Sequence, residues 1–491
     1  MKSNSFLGRL SKSKGMKASL AFFVAEVIST GIQYLTTPIF TRLLTTEEYG
    51  LSSVYTTWFT VFGIVAMFSL SSGVFNNGML DFENDRDRFS FSMLMLSNAI
   101  TIIFSVALLL LYPYIKDIIG LNFVLVVLMC GMFFVTPAFK FWIARQRYEY
   151  KYKASFIFSI VCAVLSPVVA ILCIYFSNSD KLMARLFGGQ LTLAVIYIGF
   201  YVYLIVKSKG KVSFKYWKFA ILFNLPLIPH YLSTYLLGTS NKLLINYLKG
   251  SAAAGFYNIA YSIAAVVTII WSAANASLVP FTYEKCKEND YESISKVTTP
   301  ILLVFVGVCF FVTLLAPEVV SIMASKDYSS SLFLIPPIIG GVFFQVQYYM
   351  YANILYYYKK TRFVMIGSVV SVLINIVANY FLIQRFGYEI AGYTTLVCYM
   401  IQATIDYLAM RYVAKSSVYN MKVVLALSGI VLALSFFGKY LYYVPIARYI
   451  LIGVIVVLVI VFRKQIFKAF AIKKNETTQN EEELKTEINE E

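Results

Sequence analysis

Glu26, Thr30, Gln33, Thr37 and Thr41 recur at spacings of four, three, four and four, which puts all five on one stripe of a helix. The surrounding residues are apolar enough for a bilayer. Glu26 follows Lys17 by nine residues, roughly 13 Å at helical rise. A carboxylate that deep costs about 2.5–3.5 kcal/mol, and it escapes by facing water, meeting a cation or taking a proton. Two readings stand: a glutamate hydrogen-bonded between packed helices, or a cavity-lining group in proton coupling.

A second constellation begins in residues 222–232, LFNLPLIPHYL. Pro226 and Pro229 each remove a backbone donor and disturb the preceding turn. Broken helices persist in membranes where protein or a water-filled cavity satisfies the freed carbonyls, so the stretch is expected to line an interior and to kink as a hinge. His230, the one histidine of the chain, falls within about 40° of Thr234 and Asn241 at 100° per residue. It suits a helix contact or a proton or ligand site. Lys242 should lie roughly 7 Å inside the helix end. It either snorkels outward or presents a cation to a cavity, where phosphate is a natural partner. Asn258, Thr268, Ser272 and Asn275 share a face with Trp271 beside them, and Ser52, Thr56, Thr60 and Asn76 form a looser set. Such groups hold helices together or meet the hydroxyls of a sugar. Asp406 and Arg411 read as a solvated helix end.

Membrane helices must position these residues. Of 491 residues, 59% are hydrophobic and 14% charged, against about 25% charged in soluble domains. Apolar runs of roughly 20 residues recur about fourteen times. The alternation of a β-barrel is absent, so the fold is all-α. The first run follows a basic leader and contains Glu26 and Gln33, which reads as a retained span rather than a cleaved signal. Most of the 42 Lys and Arg fall in the leader, the even-numbered loops and the C-terminal segment, with clusters at Lys140–Lys153, Lys207–Lys218 and Arg463–Lys474. That bias predicts both termini in the cytoplasm. The net charge of +17 then sits where anionic lipids attract it, which speaks against nucleic acid as a partner. The six cysteines are scattered, with neither metal spacing nor a disulfide framework.

No loop exceeds about 15 residues, which leaves no room for a soluble catalytic domain. No G-x-x-x-x-G-K-[ST] occurs. Work done by this chain must draw on an ion gradient, the membrane potential or the substrate's own gradient. No cofactor is implied. An internal repeat aligns TTPIFTRLLTTEEYGLSSVY with NKLLINYLKGSAAAGFYNIA. Gly50 falls opposite Gly255, Leu43 opposite Leu248, and Val54 opposite Ile259. An even number of helices separates the copies, so the repeats are parallel. The expected organisation is two pseudo-symmetric six-helix lobes (18–206 and 207–413), two appended helices (414–466) and a polar, acidic cytoplasmic tail (467–491).

Three stretches resemble a known family. LPLIPHYLSTYLLGTSNKLLINYLKGSAAAGFYNIAYSI (225–263) is similar to the seventh-helix region of bacterial oligosaccharide flippases. These are polysaccharide-export members of the multidrug/oligosaccharidyl-lipid/polysaccharide exporter superfamily. TPIFTRLLTTEEYGLSSVY (37–55) looks like the family's first-helix ending, and NYFLIQRFGYEIAGYTT (379–395) like its element between helices 11 and 12. The family usually carries an acid–base pair after the serine of the seventh helix. Here Ser240-Asn241-Lys242 keeps the base and replaces the acid by an amide. If that acid couples protons, the role passes to Glu26; if it only pairs with the base, Lys242 is freer to meet an anion.

The resemblance implies an alternating-access transporter of the bacterial cytoplasmic membrane, not an enzyme. It would flip a polyprenyl-diphosphate-linked oligosaccharide for surface polysaccharide synthesis. Lys242, Asn241, His230, Gln33, Asn258, Asn275 and Trp271 are the candidate headgroup residues, with Glu26 for proton coupling and Pro226 and Pro229 as hinge. The implied partners are that lipid-linked substrate, membrane lipids and polysaccharide assembly machinery, with the chain acting as a monomer. Flipping of a cell-wall precursor and multidrug or cation antiport share the fold and stand as alternatives.

Overall fold

The computed structural model describes residues 14–454 and 457, apart from 72 and 150. The side chains of some helical residues, His230 among them, lie outside the described residues, as do the expected tail 467–491 and the cluster Arg463–Lys474. Every regular element among the described residues is helical.

The long helices are α1 (Lys14–Leu43), α2 (Thr46–Ala66), α3 (Arg86–Ile119), α4 (Phe123–Tyr148), α5 (Tyr152–Phe176), α6 (Lys181–Ser208), α7 (Ile228–Lys249) and α8 (Ser251–Lys287). They continue with α9 (Tyr291–Leu314), α10 (Ile335–Tyr357), α11 (Thr361–Phe386), α12 (Ile390–Ala414), α13 (Met421–Phe437) and α14 (Pro445–Val454). Nine helices among the described residues are long and apolar enough to cross a membrane. Helices α1, α2, α7 and α12 are not among the nine: the side chains at the start of α1 lie outside the described residues, and the others carry polar residues, Thr56 and Thr60 on α2, Lys242 on α7 and Asp406 on α12. The sequence predicts about fourteen spans; the difference lies in the polar residues of α2, α7 and α12, in the undescribed side chains at the start of α1, and in α14, which is described only as Pro445–Val454. The chain is an all-α, multi-pass membrane protein.

Local chemistry sets the helix starts. Thr45 and Glu48 form a reciprocal capping box at the start of α2 (2.8 and 3.2 Å). Asn122, Asp180 and Asp290 cap α4, α6 and α9 by accepting from backbone amides at 2.9, 2.9 and 3.1 Å. Before α7 the chain is helical over Phe214–Asn224 and then breaks in a 3₁₀ turn at Leu225–Leu227. The break sits at Pro226 and Pro229, whose missing donors explain it.

Two compact units emerge, the first from residues up to Asn258 with Ile322–Tyr328, the second from Ile259–Ser321 with the chain from Ser329 onward. In the first, an aromatic core packs Phe75 on Phe141 (5.1 Å) and Tyr216 on Phe82 (4.5 Å). Helix α2 ends in an irregular turn where Phe68 and Ser69 take positive φ (54° and 44°). Its freed carbonyls are met by side chains, as buried backbone demands. Thr101 donates to Ala66 O (3.0 Å), Ser97 to Met67 O (3.4 Å), and Asn224 to Phe68 O. The asparagine of LFNLPLIPHYL is therefore a cap for another helix.

In the second unit, small residues let α10, α12 and α13 approach closely. A Cβ on Gly341 would lie 3.4 Å from the Leu396 backbone, and one on Gly340 only 2.1 Å from Ser435 Oγ. Helix α14 is held by Arg448, whose guanidinium grips both Glu318 oxygens (2.5 and 2.9 Å) and donates to Leu314 O (3.1 Å). Arg448→Ala strands that acid. We expect a loss of about 2–4 kcal/mol, reduced from the fully buried case because Glu318 is partly exposed. A fall in the thermal midpoint of the detergent-purified chain measures it, with Arg448→Lys intermediate.

Candidate substrate-binding cavity

Within the first unit, α1, α2, α4, α5 and α6 line an open cavity of about 450 Å³. Gln33, Ser52, Thr56, Ser166 and Gln190 contribute polar groups to its wall, and Arg185 contributes the charge. Among the described residues, no Asp or Glu is in the lining. Arg185 sits one turn into α6, with its guanidinium 4.1 Å from the Phe40 ring and 5.2 Å from that of Tyr49. Contacts with ring faces of this kind attract a cation without neutralising it. Its Nη1 is buried without a hydrogen-bond partner. A guanidinium so held presents a planar fork of donors, the geometry that matches phosphate or carboxylate.

Tyr49 connects this cation to a second one. Asn258 donates to the Tyr49 hydroxyl (3.2 Å) and accepts from Lys242 Nζ (3.0 Å). The Tyr49 ring meets Tyr328 edge-on at 5.8 Å. Tyr328 is brought there because Thr41 and Arg42 donate to Met323 O (2.9 Å) and Ile322 O (3.1 Å). Asn241, buried beside Lys242, donates to Tyr257 OH (2.8 Å). A smaller cavity of about 120 Å³ holds another cation, Lys140, with Thr60, Ser69 and Ser71 in its wall.

The repeat-equivalent glycines lie against one another beside this network. A Cβ on Gly50 would sit 1.8 Å from Ser251 O and 3.1 Å from Gly255 N. One on Gly255 would sit 3.0 Å from Thr46 O. Thr46 and Ser251 are themselves equivalent under the alignment of Gly50 with Gly255. The contact is therefore self-complementary, as about a two-fold axis.

Of the candidate residues, Lys242, Asn241 and Asn258 come together, and Gln33 lies in the cavity wall with Arg185. Glu26 is exposed on α1 and is not part of the lining. Asn275 accepts from Asn353 (2.8 Å) in the second unit. Trp271 is buried there, edge-on to Phe305 at 5.4 Å. His230 lies in α7, and its side chain is outside the described residues. Arg185 is not among the sequence candidates, and Lys140 enters there only as the edge of a basic cluster. Asp406 is fully buried, which corrects its reading as a solvated helix end. Its place in the helix suggested water, but α10 and α11 cover it.

Residues 16–285 match the family described as "Polysaccharide biosynthesis protein". "Lsg locus putative protein 1" of Haemophilus influenzae is 25% identical over 387 residues, spanning 74% of this chain and 90% of that protein. Among solved structures, "Lipid II flippase MurJ, inward closed conformation" is similar with TM-score 0.63 and 14% identity, over 91% of this chain and 99% of that one. An inward-facing "multidrug resistance MATE family transporter of the MOP superfamily" gives TM-score 0.57 and 12% identity, over 79% and 94%. At those identities the likeness shows the fold. With more than half of its length matched, the chain belongs to the polysaccharide biosynthesis protein family and has the fold of the multidrug/oligosaccharidyl-lipid/polysaccharide exporter superfamily.

Proposed function

We propose that the chain is a secondary transporter that flips polyprenyl-diphosphate-linked oligosaccharide repeat units across the bacterial cytoplasmic membrane by alternating access. Family and fold support a flippase-type transporter. The observation that carries the substrate class is the pair of cations, Arg185 and Lys242, joined through Tyr49 and Asn258 beside a cavity without carboxylates. Cations suit the diphosphate. The hydroxyls and amides of Gln33, Ser52, Thr56 and Gln190 suit the sugar, and the lipid tail stays in the bilayer. Access alternates by rocking of two six-helix lobes, with Pro226 and Pro229 at the hinge and α13 and α14 as the appended pair. Glu26 is the first-unit group for proton coupling. Asn275, Trp271 and His230 stay among the headgroup candidates of this reading. Both termini face the cytoplasm, the chain works as a monomer beside the assembly machinery, and it does no covalent chemistry.

A multidrug or cation antiporter would require acids in the cavity wall, and the described residues of this wall include none. A binding experiment tests the substrate class. The full chain in nanodiscs is titrated with polyprenyl-diphosphate oligosaccharide, polyprenyl diphosphate and the free oligosaccharide. We expect the two diphosphates to bind and Lys242→Ala to weaken them by about tenfold, the value of one charged hydrogen bond of about 1.5 kcal/mol. Equal binding of the free oligosaccharide, with no effect of Lys242→Ala, contradicts the reading.

A further inference from the structure

The second unit contains a carboxyl group for which the transport reading has no use. Asp406 of α12 is fully buried, and neither of its oxygens has a hydrogen-bond partner. The ion pairs of this unit among the described residues join Lys285 to Glu288 and Asp290, Lys296 to Glu292, and Arg448 to Glu318. None reaches Asp406.

Its surroundings come from three helices. On α12 itself, Gln402 lies one turn away on the same stripe. Gln402 Nε2 donates to Ser368 Oγ (3.0 Å), while its Oε1 is buried without a partner. From α11 comes Gly367, where a Cβ would lie 3.1 Å from Asp406 Oδ1. From α10 comes Tyr356, an exposed tyrosine near enough to feel the charge of Asp406. Lys359, Lys360, Arg362 and Arg411 stand exposed at the neighbouring helix ends.

Acceptor atoms thus dominate the site: both Asp406 oxygens and Gln402 Oε1. An ionised carboxylate enclosed with no donor and no cation is costly by several kcal/mol. One proton on Asp406 removes that charge and supplies a donor. We propose that Asp406 is a proton-binding site, which holds a proton while α10, α11 and α12 enclose it and exchanges that proton with water when they part. In the exchange an O–H bond forms on one carboxyl oxygen at the expense of hydronium, and on release the proton returns to water. No oxidant or further reactant is needed. The link from this exchange to transport rests on the flippase reading; occupancy of the site does not.

Infrared pH-difference spectra of the full chain in nanodiscs read the site directly. At neutral pH the native chain should show the carbonyl band of a protonated carboxyl, and Asp406→Asn should lose it. Asp406→Leu, which removes the acid and its unmet acceptors, should keep the native thermal midpoint or raise it. In liposomes, a proton gradient should accelerate lipid exchange by the native chain and leave that of Asp406→Asn unchanged. A native spectrum without the band, or a marked fall in the midpoint for Asp406→Leu, overturns the site. A gradient response kept in Asp406→Asn but lost in Glu26→Gln, or one that follows sodium, overturns its coupling role. Failure of the native chain to exchange lipid counts against the flippase reading alone, because the band is read without transport.

Discussion

Arg185→Ala is expected to reduce flipping of a diphosphate-linked oligosaccharide by about 2–5 kcal/mol, the usual cost of truncating one partner of a buried charge pair. That is a rate loss of roughly 30-fold to several thousandfold at about 1.4 kcal/mol per decade. The magnitude follows from the setting of the guanidinium. It lies against the rings of Phe40 and Tyr49, its buried Nη1 has no hydrogen-bond partner, and the residue lines a cavity with no acid among its described lining residues. Among the described residues no ion pair is broken by its removal, so stability should fall only by the ring contacts, about 0.5–2 kcal/mol. Arg185→Lys keeps the charge but loses the planar fork and should fall between. Initial rates of leaflet exchange in liposomes, with thermal midpoints as the folding control, measure all three. Native rates in Arg185→Ala would remove this residue from the site.

Gly50→Val is the second large effect. The first carbon of any side chain there would meet Ser251 O at 1.8 Å, a backbone atom that cannot rotate away. Helices α2 and α8 must move apart, at a cost of about 1–3 kcal/mol or more. The network from Arg185 to Lys242 lies beside that contact and should open with it. We expect transport to fall at least about tenfold, the equivalent of some 1.4 kcal/mol. A cysteine placed at Asn258 in a chain lacking its native cysteines should become more accessible to an impermeant thiol reagent. Gly255→Val should do less, because its Cβ would stand 3.0 Å from Thr46 O. Equal, native-like transport in both variants would show that this contact takes no part in the cycle.

These two residues show what a sequence discloses. Gly50 and Gly255 were paired by the repeat, and the structure sets them face to face. The stripe through Gln33 and Thr37 and the break at Pro226 and Pro229 were equally legible, because helical periodicity and the missing proline donor are local properties. Arg185 was not. It stands four residues from Lys181 near a helix start, and on a helix map such an arginine looks like rim charge. Only the rings of Phe40 and Tyr49, brought from α1 and α2, give it another meaning. Asp406 was misread for the same reason, since periodicity assigns a residue to a face without saying what covers that face. Lys242 and Asn258 share the lesson in the other direction. Their types suggested an anion or sugar site, and their hydrogen bond comes from the close approach of α7 and α8.

Whether cations beside an acid-free cavity carry a diphosphate headgroup across the membrane is tested most directly by reconstitution. The native chain is placed in liposomes with a fluorescent polyprenyl-diphosphate oligosaccharide in both leaflets. A membrane-impermeant reagent then reports the accessible fraction over time. If the cations carry the headgroup, the native chain brings the inner pool into reach of the reagent, and Lys242→Ala together with Arg185→Ala leaves it protected. Protection of the inner pool by a folded native chain, alongside gradient-driven export of a lipophilic cation from the same liposomes, would contradict that role.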